Sequence, residues 1–412
     1  MPKKSGQFVF KKTDNIGSMR AEEDSFLKEC YIKNDYSDEF FDMHNYRSII
    51  IGRTGVGKTA LLMQFLNNEN VNSFELEIDS SCLHQLATTN IVQQLQNYQI
   101  EWLPLCKLLW KHIIFGGIVN KISKRNTSLW GRIESFFTNK NLSDLISTHN
   151  QDFFSFDTIT QIKQLTQILD SKCSASIGVP LTNASYSLNS IKTNSNTEDI
   201  KTKLQSFISS EISTEFKIIF EVLNSILDNK QKPLYVTIDR LEELYINEEV
   251  EALFLRALIE VVIDFNYKVE NLKILIGFRQ DLFDSIWNSQ YCKSLQREKF
   301  NTNIRVLTWD KEELRDFLTK RINKLLKDKY TNAPLTIDDI FTKHVSVNNK
   351  HINTFDYLTN LTWLRPRDLI ELLNMIIPKN VNKNSISQES IRSVEAEYSK
   401  SRKDALISEF LC

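Results

Sequence analysis

The segment Gly52-Arg53-Thr54-Gly55-Val56-Gly57-Lys58-Thr59 has the spacing G-x-x-x-x-G-K-[ST], a pattern whose chemistry is phosphate binding. Glycines permit a tight loop whose backbone N–H groups converge on phosphate oxygens, and a helix starting at the loop's end adds the positive end of its dipole. In that setting Lys58 reaches the β- and γ-phosphates. Thr59 offers its hydroxyl to a magnesium ion that shares octahedral oxygen coordination with phosphates and water, and Ala60 continues the first helical turn. Composition does not favour the string by chance: the chain holds 10 glycines in 412 residues, and three of them fall inside these eight positions.

A triphosphate site of this kind also needs a carboxylate for the metal and a group that positions the attacking water. The run Leu234-Tyr235-Val236-Thr237-Ile238-Asp239 ends in an acid suited to the first task, and Glu242 and Glu243 follow closely enough for either to serve the second. Two arginines also stand out by their positions at element ends. Arg279 ends the run Leu272 to Phe278, with Asp281 read as the cap of a following helix. Arg367 falls in the first turn behind Pro366, where the helix dipole disfavours a cation unless an anion faces it, whether a phosphate or a carboxylate.

The elements that must position these residues can be read around them. Tyr46 to Ile51 reads as a buried strand, Lys58 to about Asn68 as a helix, and Phe74 to Ile78, Leu234 to Asp239, Leu272 to Gly277 and Ile304 to Leu307 as further strands. Strands alternating with helices predict an α/β fold: a P-loop NTPase parallel sheet flanked by helices, with the site at the carboxyl ends of the strands. The expected division is an N-terminal lead-in over 1–45 that packs on the core, a P-loop core over 46–310, and a C-terminal helical lid over 311–412. Within the core, 79–232 reads as a large, mostly helical insertion, too long for a connection and expected to carry partner or self-association contacts. Trp102 and Trp110 inside it read as core residues, with Pro104 starting a helix that leaves Trp102 just outside.

The order of these motifs resembles the AAA+ and STAND-like P-loop ATPases, and most closely a bacterial P-loop ATPase family often found near phage-defence genes. The resemblance rests on the phosphate loop, Ile238-Asp239-Arg240-Leu241-Glu242-Glu243, Gly277-Phe278-Arg279-Gln280-Asp281, Leu307-Thr308-Trp309-Asp310 with Glu312-Glu313-Leu314, and Arg365-Pro366-Arg367-Asp368. It spans about Tyr46 to Ile377, with the insertion matching poorly. It implies magnesium-dependent ATP hydrolysis that drives a conformational switch in an assembly, either a homo-oligomer or a complex with a partner effector protein. It further implies that Arg279 reads the γ-phosphate side and Arg367 acts as a second sensor on the lid helix. Arg240 stands where many AAA+ members carry a second acid, so the catalytic carboxylate does not follow by matching.

Composition narrows the class. A formal net charge of -1, with 41% hydrophobic and 25% charged residues, describes an ordinary globular chain and gives no positive support for a nucleic-acid partner. Six scattered cysteines without a CxxC pair fit a reducing cytoplasm, and the most apolar stretch, Leu105 to Val119, is broken by Lys107, Lys111 and His112, so no membrane span is expected. Cys82 with His84, and His344 with His351, read as packing rather than zinc ligands. The basic helix carrying Lys320, Arg321 and Lys324 reads as a solvated face. No Asn-Lys-x-Asp string selects guanine, and ATP is the expected nucleotide. The competing reading is a nucleotide-gated binding or scaffold module with little turnover.

Overall fold

The computed structural model describes residues 8–34, 37–78, 89–123, 158–177, 198, 201–206, 218–227, 232–241, 248–289, 297–329 and 334–411. They form two compact units, one comprising Phe40–Ile51 and Phe65–Arg305, the other Met1–Glu39, Gly52–Gln64 and Val306–Cys412. The phosphate loop thus groups with the N-terminal segment and the C-terminal helices, whereas the sequence reading kept it within the sheet core.

The first unit is built on a five-stranded sheet in the order β2-β3-β4-β1-β5, formed by β1 (Ile49–Gly52), β2 (Asn72–Glu75), β3 (Leu234–Ile238), β4 (Leu272–Arg279) and β5 (Ile304–Val306). β3 runs parallel to both β2 and β4, with Val236 opposite Phe74 and Ile274. Every residue of β1 and β3 is buried, as a parallel sheet covered on both faces requires, and β-branched residues dominate them for the same reason. Helix α1 (Lys58–Leu66) follows β1 along the chain, its residues up to Gln64 belonging to the other unit, and the helices of the sheet unit are α2 (Asn90–Asn97), α3 (Leu103–Ser123), α4 (Thr158–Ile177), α5 (Glu248–Lys268) and α6 (Gln280–Asn288).

Helix α3 lies within the segment expected to be an insertion, yet its apolar residues share one hydrophobic core with the sheet strands and α5. Trp110 is fully buried, and its indole N–H donates to the Phe254 carbonyl at 2.8 Å. Lys107 pairs with Glu260, and buried Lys111 pairs with Asp264 at 3.3 Å. A helix apolar on nearly every side must be enclosed, so this part of 79–232 is core and its removal would open the sheet. Trp102 is buried just outside the helix start at Leu103, as Pro104 implies. The described residues of 79–232 are predominantly helical. Cys82, His84 and the Ser/Asn/Thr-rich tract over 178–196 lie outside the described residues.

The second unit is a helical assembly of α7 (Lys311–Lys329), α8 (Thr354–Leu361), α9 (Pro366–Ile376) and α10 (Gln388–Leu411), with an antiparallel hairpin of β6 (His344–Val347) and β7 (Lys350–Asn353). Asp310 and Glu313 close a reciprocal capping box at the start of α7, each side chain accepting from the other's backbone N–H at 2.8 and 2.9 Å. The N-terminal segment packs into this unit. Phe8 and Phe10 enter its core, and Phe10 exchanges backbone hydrogen bonds with Lys383 and Asn382, each 2.9 Å. The basic face of α7 is consequently not solvated throughout. Arg321 is buried against Asp24 at 2.5 Å, and Lys324 pairs with Glu29 at 2.5 Å. The N-terminal segment carries two short helical turns, at Ala21–Glu23 and Leu27–Cys30. Among the described residues no helix is long and apolar enough to cross a membrane.

Candidate functional site

Residues 52–57 leave β1 and enter α1 through a loop with two left-handed glycines, Gly55 at φ +81° and Gly57 at φ +100°. A side chain at either position would be strained, which is why the loop takes glycine there. Lys58 is buried and curls back over its own loop, its ammonium donating to the carbonyls of Gly52 at 2.9 Å and Arg53 at 3.3 Å. Thr59 and Ala60 follow half-buried in the first turn of α1, and the first intrahelical bond runs from Leu61 N–H to Gly57 carbonyl at 2.9 Å. The amide hydrogens at the very start of α1 have no i−4 carbonyl to meet.

Two residues from the C-terminal part of the same unit hold this loop. Trp309 donates its indole N–H to the Val56 carbonyl at 2.8 Å while its ring meets Phe317 edge-on at 5.6 Å. Arg367 donates its backbone N–H to the Gly55 carbonyl at 3.3 Å. Its side chain is so close that a Cβ on Gly55 would stand 3.1 Å from both its Cβ and its Nε. Sequence spacing placed Arg367 in a helical first turn, and the fold brings that turn against the loop. Trp309 was visible only as part of a motif segment, and nothing in its local sequence marks it as a clamp on a loop some 250 residues earlier.

The turn that presents Arg367 is unusual. After α8, Trp363 and Leu364 adopt consecutive left-handed conformations with φ of 51° and 57°, each costing on the order of 1 kcal/mol for a bulky L-residue. They turn the chain so that Pro366 occupies the first position of α9 and Arg365 its cap. Asp368, buried in the same first turn, binds Arg402 at 2.9 Å, Arg365 at 3.7 Å and Arg367 at 3.9 Å. Burial raises its carboxyl above the ordinary range, against the pull of these three arginines. Arg402 is its principal partner, and Arg367 remains about one-third exposed with a marginal ion contact.

The other expected residues belong to the sheet unit. Asp239 follows β3 half-buried, and the chain turns immediately because Arg240 adopts φ +59° and is exposed. Glu242 and Glu243 lie outside the described residues. Arg279 ends β4 and is the N-cap residue of α6 without a side-chain capping bond of its own, while the Asp281 carboxylate accepts from the backbone N–H groups of Asp281 and Leu282 in the first turn of that helix. It also binds the Arg279 guanidinium, through Nε at 3.1 Å and through Nη2. Burial raises the Asp281 carboxyl, but the hydrogen bond and charge of Arg279 outweigh it and leave the carboxyl below its ordinary value.

A magnesium ion asks for hard oxygen donors, and the Thr59 hydroxyl and the Asp239 carboxylate, each described within its own unit, are groups of that chemical kind. Among the described residues there is no cluster of three or more His, Cys, Asp and Glu that would hold a metal without a phosphate ligand. His344 and His351 face each other across the hairpin, where the His351 Nδ1 meets the Ser346 hydroxyl at 3.0 Å.

Residues 312–407 match the family described as the FunZ-associated C-terminal helical domain, which covers α7 to most of α10. No curated protein matches the chain. Among solved structures, a Walker-type ATPase of Pyrococcus abyssi is similar at a TM-score of 0.41 and 13% identity, over 97% of this chain and 79% of that one.

Proposed function

We propose that the chain binds Mg-ATP through Gly52 to Thr59 and hydrolyses it, and that the bound nucleotide sets the state of the C-terminal helices. The observation that carries this reading is Arg367, whose helix turn is hydrogen-bonded to the phosphate loop and whose side chain packs on Gly55. A guanidinium at the edge of a loop built for phosphates is suited to a γ-phosphate, which it can bind bidentately and lose after hydrolysis. Lys58 would release its loop carbonyls to engage the β- and γ-phosphates, and Thr59 and Asp239 would hold the metal. Glu242 or Glu243, three and four residues after Asp239 in the sequence, would orient water. Resemblance in motif order supports work within an assembly, with another copy of the chain or an effector protein, in a setting of bacterial antiviral defence.

One observation favours a second reading, that of a nucleotide-gated module with little turnover. Arg279, the residue expected to read the γ-phosphate side, is bound on two nitrogens by Asp281, and that pair must open before Arg279 can act on a phosphate. Phosphate release with saturating Mg-ATP, in the wild type and in Asp239→Asn, separates the two. Turnover in the wild type that is lost in Asp239→Asn supports hydrolysis. Tight ATP binding without turnover in the wild type supports the gated module, and absence of ATP binding contradicts both.

A further inference from the structure

Beside the turn that presents Arg367 lies a cavity of about 410 Å³, bounded by that turn and by α10, within the size range of small-molecule sites. Its charged lining is unbalanced. Arg365, Arg402 and Lys403 share the lining with one acid, Asp368, whose oxygens are taken by Arg402 and Arg365; Glu371, outside the lining, binds Arg402 through Nη2 at 3.0 Å. Three of the lining side chains also hold a buried polar atom without a partner: the Tyr398 hydroxyl and the Nε atoms of Arg365 and Arg402. Tyr398 is 1% exposed and Arg365 7%. Leaving a buried donor unsatisfied costs about 1–3 kcal/mol, and all three of these groups can donate to the same kind of partner, an acceptor oxygen. The apolar remainder of the wall includes Trp363, a residue that is 59% exposed and whose ring carries the Arg365 guanidinium at 5.5 Å.

We propose that this cavity is an effector site for a small molecule carrying an oxyanion on a planar or apolar body, and that its occupancy weakens nucleotide binding at the phosphate loop. The oxyanion takes guanidinium hydrogens of Arg365 and Arg402, and the planar body lies along Trp363. Asp368 then loses its strongest partners and draws on Arg367, the remaining arginine within its reach at 3.9 Å. Arg367 is thereby pulled from the γ-phosphate. Linkage makes the effect reciprocal, so ATP weakens the effector by the same factor. The coupling rests on the nucleotide reading above, whereas binding in the cavity does not.

The test uses the full chain and anilinonaphthalene sulfonate, an oxyanion on a fused aromatic body, titrated by fluorescence. Its neutral analogue, N-phenyl naphthylamine, reports what the ring alone contributes. Ala405→Phe narrows the cavity without removing any member of the ion cluster, and Arg402→Met removes a central donor. The expected result is one saturable site, at least tenfold weaker in both variants and for the neutral analogue, and unchanged in Lys58→Ala. Arg402→Met strips a partner from Asp368 and Glu371 and could perturb folding, so Ala405→Phe with native circular dichroism is the deciding variant. Equal affinity in the wild type and Ala405→Phe means an adventitious additive only and overturns the site, and equal binding of the neutral analogue overturns the oxyanion. Saturating sulfonate should weaken ATP several-fold in the wild type and not in Ala405→Phe. Unchanged ATP affinity in the wild type overturns the coupling.

Discussion

Replacing Arg367 with alanine separates a sensor from a strut. Its structural role is small. Its ion contact with Asp368 is 3.9 Å, and Asp368 keeps Arg402 at 2.9 Å and Arg365 at 3.7 Å when it goes. The bond from the residue 367 backbone N–H to the Gly55 carbonyl does not depend on the side chain. A partly exposed pair of that length contributes at most about 1 kcal/mol, so Arg367→Ala should unfold at nearly the wild-type midpoint. Its effect on binding is larger. A charge-assisted hydrogen bond to the γ-phosphate contributes roughly 1.5–3 kcal/mol, or about tenfold to hundredfold in ATP affinity. ADP lacks that group and should lose little. Calorimetric titration of Mg-ATP and Mg-ADP into both proteins measures the two losses directly. Equal losses for the two nucleotides would refute the sensor and leave Arg367 as a packing residue against the loop.

Gly55→Ala forces an L-residue to φ +81° with its Cβ 3.1 Å from Arg367. It should weaken ATP binding markedly while costing about 1–2 kcal/mol in a denaturant titration, and unchanged affinity would remove the loop geometry from the explanation. Trp309→Phe deletes the indole donor to Val56 and should weaken ATP about twofold to tenfold, the worth of one net hydrogen bond. An unaltered Kd would mean that the contact does not shape the site. Burial lowers the Lys111 ammonium to about 8, against the raising effect of Asp264. Below that value the folded chain carries a charge it would rather release, and between about 8 and the ordinary lysine range the unfolded chain holds the extra proton. Stability contributed by this group therefore rises with pH across that window. The stability difference between wild type and Lys111→Met should move in the wild type's favour by up to about 1.4 kcal/mol per pH unit there, and a constant difference would contradict it.

Much of the site was legible because its chemistry is local. The phosphate loop needs a strand, left-handed glycines and a helix start in immediate succession, and all three are visible between Ile49 and Leu66. The runs ending at Asp239 and Arg279 are buried strands whose apolar composition has no amphipathic alternative. Legibility ended where partners are distant. Arg321 looked solvent-facing because the sequence gives no hint of Asp24, nearly three hundred residues away. Residues 79–232 looked separable because length alone does not reveal that α3 packs on α5. The β6–β7 hairpin was missed although its signal was present: Asn348 and Asn349, both left-handed, are the residue type a tight hairpin turn favours.

The most direct measurement is calorimetric titration of Mg-ATP into the wild type and Lys58→Ala. Lys58 bridges the carbonyls of Gly52 and Arg53 from inside the loop and is the side-chain cation that the loop aims at the phosphates. The expected result is saturable one-site binding in the wild type, abolished or weakened at least a hundredfold in a Lys58→Ala protein with native circular dichroism. Equal ATP affinity in the two proteins would contradict nucleotide binding at Gly52 to Thr59.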